Sequence, residues 1–305
     1  MKRRSFFIKG TLGAIGLSLL PNITWAKESE TNKKINFIHN LVEYGREYLK
    51  LDLKNNFFIE WAEDEDINYF LYVSSTTKIE APKNVKNYLY LGNNKELAQK
   101  TQHDYIQKGY HTLLYMRSGK HEPKLTNTLL SYSNEAIAFN TYHEAAHAHL
   151  KKHAKIPIKL EEAACDVMGT FGSKAYADKN TDLDKKNIEK QNSVFEKSNA
   201  EINKYALLIS DNVENNKKIH EKLEKKLFKL FKDSDTFFKN RFIHPVNNAY
   251  LLMMLNYCSH YDLMKKVAIK DVYISNFIHT LENISRNEKN AIKQLKDKLL
   301  SSGKN

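Results

Sequence analysis

The sequence predicts an α+β protein that is mostly helical, with a small β-bearing N-terminal lobe and a helical C-terminal lobe. Three observations predict it. Between residues 57 and 116, short runs rich in Phe, Tyr, Val and Leu are separated by Pro, Gly and Asn, the punctuation of strands. From residue 134 onward, apolar residues recur every three or four positions, the period of a helix. Only ten Gly and five Pro occur in 305 residues, and 41% of the chain is hydrophobic, enough for a sizeable core in one domain of two lobes.

Residues 1–26 read as a targeting segment rather than as part of the fold. Arg3-Arg4-Ser5-Phe6-Phe7-Ile8-Lys9 resembles the twin-arginine export signal, and Thr11–Leu20 supplies a moderately apolar stretch too short to span a bilayer. Pro21 and Thr24-Trp25-Ala26 place the expected cleavage after Ala26, with an uncleaved anchor as the alternative. The expectation is a periplasmic or secreted bacterial protein. Removing Lys2, Arg3, Arg4 and Lys9 from a net charge of +12 leaves +8, spread over Lys- and Asn-rich helices. Without a basic patch laced with aromatics, nucleic acid is not an expected partner. No later run approaches 18 apolar residues, so no further membrane span is expected.

Lys27–Lys34 is polar and reads as a linker. The main domain is then 35–305, divided as an α+β lobe over 35–153 and a helical lobe over 154–305. A helix is expected over 35–52 on the stripe Ile35, Ile38, Leu41, Val42 and Tyr48. Strands are expected at Phe57–Trp61, Tyr69–Val73, Tyr88–Leu91 and Thr112–Met116, with a helix at Lys95–Gln107 between the last two.

The chemistry concentrates in Tyr142–Leu150, YHEAAHAHL. Ser133 or Asn134 can cap this helix, Glu135 sits in its first turn, and Ala145 and Ala146 favour it. His143 and His147 stand four apart and so project from one helix face, roughly 40° apart around the axis. Two such imidazoles can share one Zn²⁺ at about 2 Å. Glu144, beside the first histidine, is placed to act as a general base toward water. A catalytic zinc needs a third protein ligand, and the sequence offers two. Glu162 lies in Lys159–Gly169, KLEEAACDVMG, on a second helix expected to return antiparallel after a turn around Lys155–Ile158 containing Pro157. His153 has the spacing of metzincins, but Leu150 stands where they place Gly. On a continuous helix, His153 points roughly 240° away from His147. His149, two positions from His147, reads as a surface histidine on a basic face.

Glu162 and Asp166 are again four apart. HEAAH followed by Pro157 and EEAACD resembles the gluzincin-type zinc metallopeptidases, in particular a bacterial family of uncharacterised function. EAACDVMG is more distantly similar to the glutamate motif of CAAX-prenyl-protease-type enzymes, with Cys165 where those carry Ala. The resemblance implies a zincin-like fold, with Glu162 as third ligand and Asp166 holding a ligand histidine through its second ring nitrogen. It also implies an edge strand beside the metal that pairs with extended substrate, either Thr112–Met116 or Thr128–Tyr132. His244-Pro245 ahead of an apolar helix resembles a later motif of the prenyl-protease-type enzymes, though Tyr250 stands where those have Arg. His244 is thus a candidate donor to an oxyanion, or a capping or surface histidine.

Beyond Ala177 the sequence is helical and highly charged. Asp178–Asn192 reads as a loop or solvated helix start, followed by helices at Phe195–Ile209, Glu214–Lys232 and Asn247–Tyr261, and two more in 263–301. The seam Ile219, Leu223, Leu227 and Leu230 is expected to pack on the chain's own core. Cys165 and Cys258 read as buried thiols, with a disulfide as the alternative in an oxidising compartment.

Together these features lead to the expectation of an exported, zinc-dependent hydrolase with one Zn²⁺ acting on a peptide or protein. The alternatives are a non-enzymatic zinc-binding or interaction protein on the same scaffold, and a hydrolase of envelope amides.

Overall fold

The computed structural model describes residues 20–61, 67–85, 88–118, 124–211, 215–240, 242–243 and 245–301, with backbone only for 20–29, 67, 117, 118, 210 and 211. Most of the expected targeting segment therefore lies outside the described residues, as does His244. Among the described residues the fold is mostly helical with one small antiparallel sheet, as the α+β reading expected.

Helix α1 runs Leu20–Glu47, so the expected linker at 27–34 is instead helical. Its polarity misled because Lys34 is only partly exposed: its ammonium donates to the carbonyls of Leu130 and Tyr132, at 2.7 and 2.8 Å. The buried stripe of α1 is Phe37, Ile38, Leu41, Val42 and Tyr44, while Tyr48 is exposed and stacks on Tyr44. Residues 57–60 form turns and a bend rather than a strand, and Trp61 makes only an isolated bridge to Leu125. Phe57 and Phe58 are both buried, which successive residues of a strand facing one core layer do not achieve, and Phe58 takes a left-handed φ of 55°.

The sheet comprises β1 (Ile67–Ser74), β2 (Leu89–Tyr90) and β3 (His111–Ser118), in the order β2-β1-β3. β1 and β3 pair over their full lengths, from Ile67 opposite Ser118 to Ser74 opposite His111. Helix α2 (Lys95–Gln107) falls where expected, capped by Asn94. Thr128–Tyr132 is not a strand: Thr126 caps the short helix α3 (Asn127–Leu130) by accepting from Leu129 N. That leaves β3 as the edge strand nearest the motif.

α4 (Asn134–His153) and α5 (Ile158–Lys179) form the antiparallel hairpin anticipated around Pro157. The remaining helices are α6 (Lys185–Asp211), α7 (Asn216–Phe231), α8 (Thr236–Lys239), α9 (Asn248–Cys258), α10 (Tyr261–Lys270), α11 (Ile274–Glu282) and α12 (Glu288–Leu300). The last stretch thus holds three helices rather than two, because the chain turns at Val272 with φ 62°. Leu223 and Leu227 of α7 are buried against the chain's own core, which runs as one apolar cluster from Phe37 to Leu295. Both cysteines are buried thiols outside any disulfide, and that of Cys258 donates to Asn199 Oδ1. Among the described residues no helix is long and apolar enough to cross a membrane.

Polar side chains fasten the sheet to α9. Asn247 caps α9 and donates to the Thr112 carbonyl. Asn248 donates to the Ser75 carbonyl and accepts from His220 Nε2. Burial lowers the pKa of both His111 and His220, so each stays neutral here.

α4 and α5 approach closely because α5 presents glycines. A Cβ added at Gly172 would stand 2.7 Å from Tyr142 Cγ, and one at Gly169 would stand 3.0 Å from the Phe139 carbonyl oxygen. Gly172→Ala should therefore destabilise the fold by about 1–2 kcal/mol, the overpacking cost exceeding the gain in helix propensity. Gly45→Ala in α1, whose nearest neighbour would be 3.5 Å away, should be neutral or stabilising. Urea midpoints for the two variants check this; equal shifts would refute the close-packing account.

Candidate metal centre

Ser133 caps α4 by accepting from Ala136 N, and the helix then runs without interruption past both motif histidines. Pro157 opens α5 with an extended backbone, setting Glu161 and Glu162 in its first two turns. Two helices with i, i+4 pairs on facing sides therefore bring four side chains to one place.

The ligand atoms of His143, His147 and Glu162 all lie within 4.8 Å of one another, and all three residues are buried. Glu162 Oε2 is 3.2 Å from His147 Nε2 and 3.7 Å from His143 Nε2. Behind the ligands, each Nδ1 faces an acid. His143 Nδ1 stands 3.0 Å from Asp166 Oδ1, aligned as an electrostatic contact rather than a formed hydrogen bond. His147 Nδ1 is 2.7 Å from Glu161 Oε1. Such acceptors fix ring orientation and keep the outward nitrogen available to a metal.

The donor set fits a divalent cation. Three largely buried carboxylates, Glu161, Glu162 and Asp166, face only two imidazoles, an excess of negative charge that a cation would balance. Two nitrogens and one carboxylate oxygen are ligands that suit Zn²⁺ and leave a position open. Burial alone would lower the His147 pKa, but its hydrogen bonds with Glu161 and Glu162 raise it well above the usual value. Burial pushes the Cys165 thiol up to about 12, so it packs as a small neutral group beside the histidine.

The sequence reading is met unevenly around this centre. Glu144 sits on the same helix and lines a cleft with His143 and Glu162. His153 points elsewhere and pairs with Asp52 at 2.7 Å. His149 is not a surface histidine: it is buried, its Nδ1 accepts from Asp52 N and its Nε2 meets Glu282 at 2.9 Å. Its partners lie far away in sequence, so spacing along α4 gave no sign of them. Glu161 was also missed. Its signal was the doubled acid at 161–162, of which only the second was read as functional.

The cleft in front of the ligands has a volume of about 170 Å³. Phe139 and Asn140 come from α4, Tyr115 from β3, and Phe237 and Asn240 from α8 and its end. Met253, Met254 and Tyr257 of α9 complete the far side.

Replacing Glu161 should weaken zinc binding while leaving the fold intact. Glu161→Ala should lose roughly 10- to 100-fold in affinity, and Glu161→Gln, which can still accept from Nδ1, should lose less. Competition with a chromophoric chelator measures both, and unchanged affinity in Glu161→Ala would remove its role. Zinc takes neutral imidazole, and the raised pKa of His147 means that a proton must leave this ring before the ion binds. Affinity should therefore climb as pH rises toward that pKa, by up to about tenfold per unit for this group. A flat profile between pH 6 and 8 would contradict the raised value.

No protein-family model, curated protein or solved structure matches this chain, so the likeness to gluzincins rests on its motif residues alone.

Proposed function

We propose that the chain is an exported zinc-dependent hydrolase of zincin-like type, acting on peptide bonds. One observation carries the reading: His143, His147 and Glu162 converge on one point while Glu144 lines the cleft leading to it. A structural zinc site closes with a fourth protein ligand and needs no carboxylate beside it. That weighs against a purely structural or binding role.

His143, His147 and Glu162 would hold the ion. Zn²⁺ bound there supplies a Lewis acid that polarises a carbonyl and brings water's pKa toward neutrality. Glu144 takes a proton from water as the water oxygen adds to the scissile carbonyl carbon. The same carboxyl then delivers that proton to the amide nitrogen as the C–N bond breaks. Asp166 and Glu161 hold the two imidazoles in place from behind. His244, which lies outside the described residues, is in this reading the sequence's candidate donor to the oxyanion. Export through the twin-arginine-like segment would place the activity in the periplasm or outside the cell. The substrate is a peptide or protein, with no nucleic-acid partner.

Glu144→Gln should keep its metal and lose hydrolysis of a denatured protein by at least about 100-fold. His143→Ala should lose the metal itself. Elemental analysis of both purified variants, beside a chelator-controlled assay, separates the two effects. Wild-type turnover by Glu144→Gln would sink the mechanism.

A further inference from the structure

The outer faces of α6 and α7 are lined with lysine. On α6 these are Lys186, Lys190, Lys197 and Lys204. On α7 they are Lys218, Lys222, Lys225 and Lys229, continued by Lys232 just past the helix end. At about 100° per residue, each set falls within about 40° of one line along its helix. All nine lysines are exposed. The opposite faces are buried, through Ile188, Phe195 and Ile202 on α6 and Leu223, Leu227 and Phe231 on α7.

The two lysine lines look the same way. Lys226, ten residues into α7, reaches Glu201, ten residues before the end of α6. Its Nζ stands 2.9 Å from the carboxylate and over the Tyr205 ring. The helices therefore run antiparallel. Glu201 lies about 60° round from the α6 line and Lys226 about 80° round from the α7 line, in the same sense. With those flanks in contact in an antiparallel pair, both lines turn to one side. The outcome is a face roughly 25 Å long built on two helix axes about 10 Å apart.

We propose that this face docks the protein on the surface of an anionic phospholipid bilayer. Charge is the first reason. Among the described residues none of the nine lysines is in an ion pair, because Glu201 and Glu196 are taken by Lys226 and Lys265. Glu189, Glu221 and Asp233 are the exposed acids beside the lines. A helix that only meets water gains by placing Glu four residues before Lys. Here Lys218, Lys222, Lys225 and Lys229 neighbour one another along α7, and their repulsion costs helix stability. An anionic surface turns that repulsion into attraction.

Exposed apolar side chains favour lipid over a linear polyanion. Leu207 and Leu208, just beyond Lys204, are 68% and 43% exposed, and Phe228, on the flank of the α7 line, is 58% exposed. These enter the headgroup boundary while the lysine stems spread along it and the ammonium groups meet phosphates. DNA or RNA has no interior to receive them. Neither helix carries an arginine to grip phosphate in bidentate fashion or to stack on a base.

Vesicle sedimentation with the full chain tests this. The chain should bind phosphatidylcholine vesicles carrying about 30% phosphatidylglycerol at least about tenfold more tightly than pure phosphatidylcholine vesicles, and lose that preference in about 0.5 M salt. Replacing Lys218, Lys222, Lys225 and Lys229 together with Gln should weaken binding to the anionic vesicles on the order of a hundredfold. The same variant should have an unchanged or higher urea midpoint, since like-charge neighbours are removed. Phe228→Ser should cost roughly fivefold in vesicle affinity. The basic, apolar segment at residues 1–26 is present in every form, so differences between variants report on the helical face alone. Equal binding to both kinds of vesicle, or undiminished affinity in the fourfold variant, would overturn the assignment. A DNA fragment or polyphosphate that binds more tightly than the vesicles, with Phe228→Ser changing nothing, would give the face to a linear polyanion and end the lipid proposal.

Discussion

The candidate metal centre depends on how closely α4 and α5 approach. Ligands from two helices meet within a few ångströms only if the backbones come nearer than bulky interface residues permit. Gly169 and Gly172 provide that closeness. The rings of Phe139 and Tyr142 rest where their Cβ atoms would be. Tyr142 immediately precedes the first motif histidine, so the residue that wedges into α5 also sets the azimuth of His143. Everything that touches the cleft is built outward from this contact, including β3, the turn after α8 and the buried methionines of α9.

Electrostatics then gives the hairpin its character. A buried pair of helices usually carries an apolar seam, yet here the seam holds two imidazoles and three carboxylates at hydrogen-bonding or ion-pair distance. Desolvating those groups costs stability that apolar residues of similar volume would not. Their mutual contacts repay part of it, and a divalent ion would repay more. Such an arrangement makes physical sense at a site that binds something, and little sense as packing.

Much of this was legible in the sequence, for local reasons. Helix caps, the i, i+4 pairs and the Pro157 turn all act over a few residues, so α4, α5 and the shared face of His143 and His147 followed from spacing, while Glu162 as third ligand came from resemblance. Asp166 came from resemblance, and its contact with His143 agrees. What spacing could not reveal depends on distant partners. His149 is buried by Asp52 and Glu282, which lie 97 and 133 positions away. Lys34 looked like linker because the carbonyls it serves belong to a turn 96 positions on. Phe57 to Trp61 has strand composition, but burial of adjacent phenylalanines required a turn. The lining of the cleft is likewise assembled from α4, β3, α8 and α9, elements whose proximity no single stretch encodes.

The hairpin also has a thermodynamic consequence for any ion that binds it. His147 and Glu162 are fifteen positions apart, and chelation by an unfolded segment would have to close that loop. Loop closure of this length costs about 3 kcal/mol in chain entropy, on the order of a hundredfold in affinity. In the folded protein the turn at Pro157 and the glycine contacts have closed the loop in advance. Grip on the ion is therefore set in part by residues that never touch it. Loosening the helical interface at Gly172 would be felt as a faster rate of metal loss well before the chain unfolds.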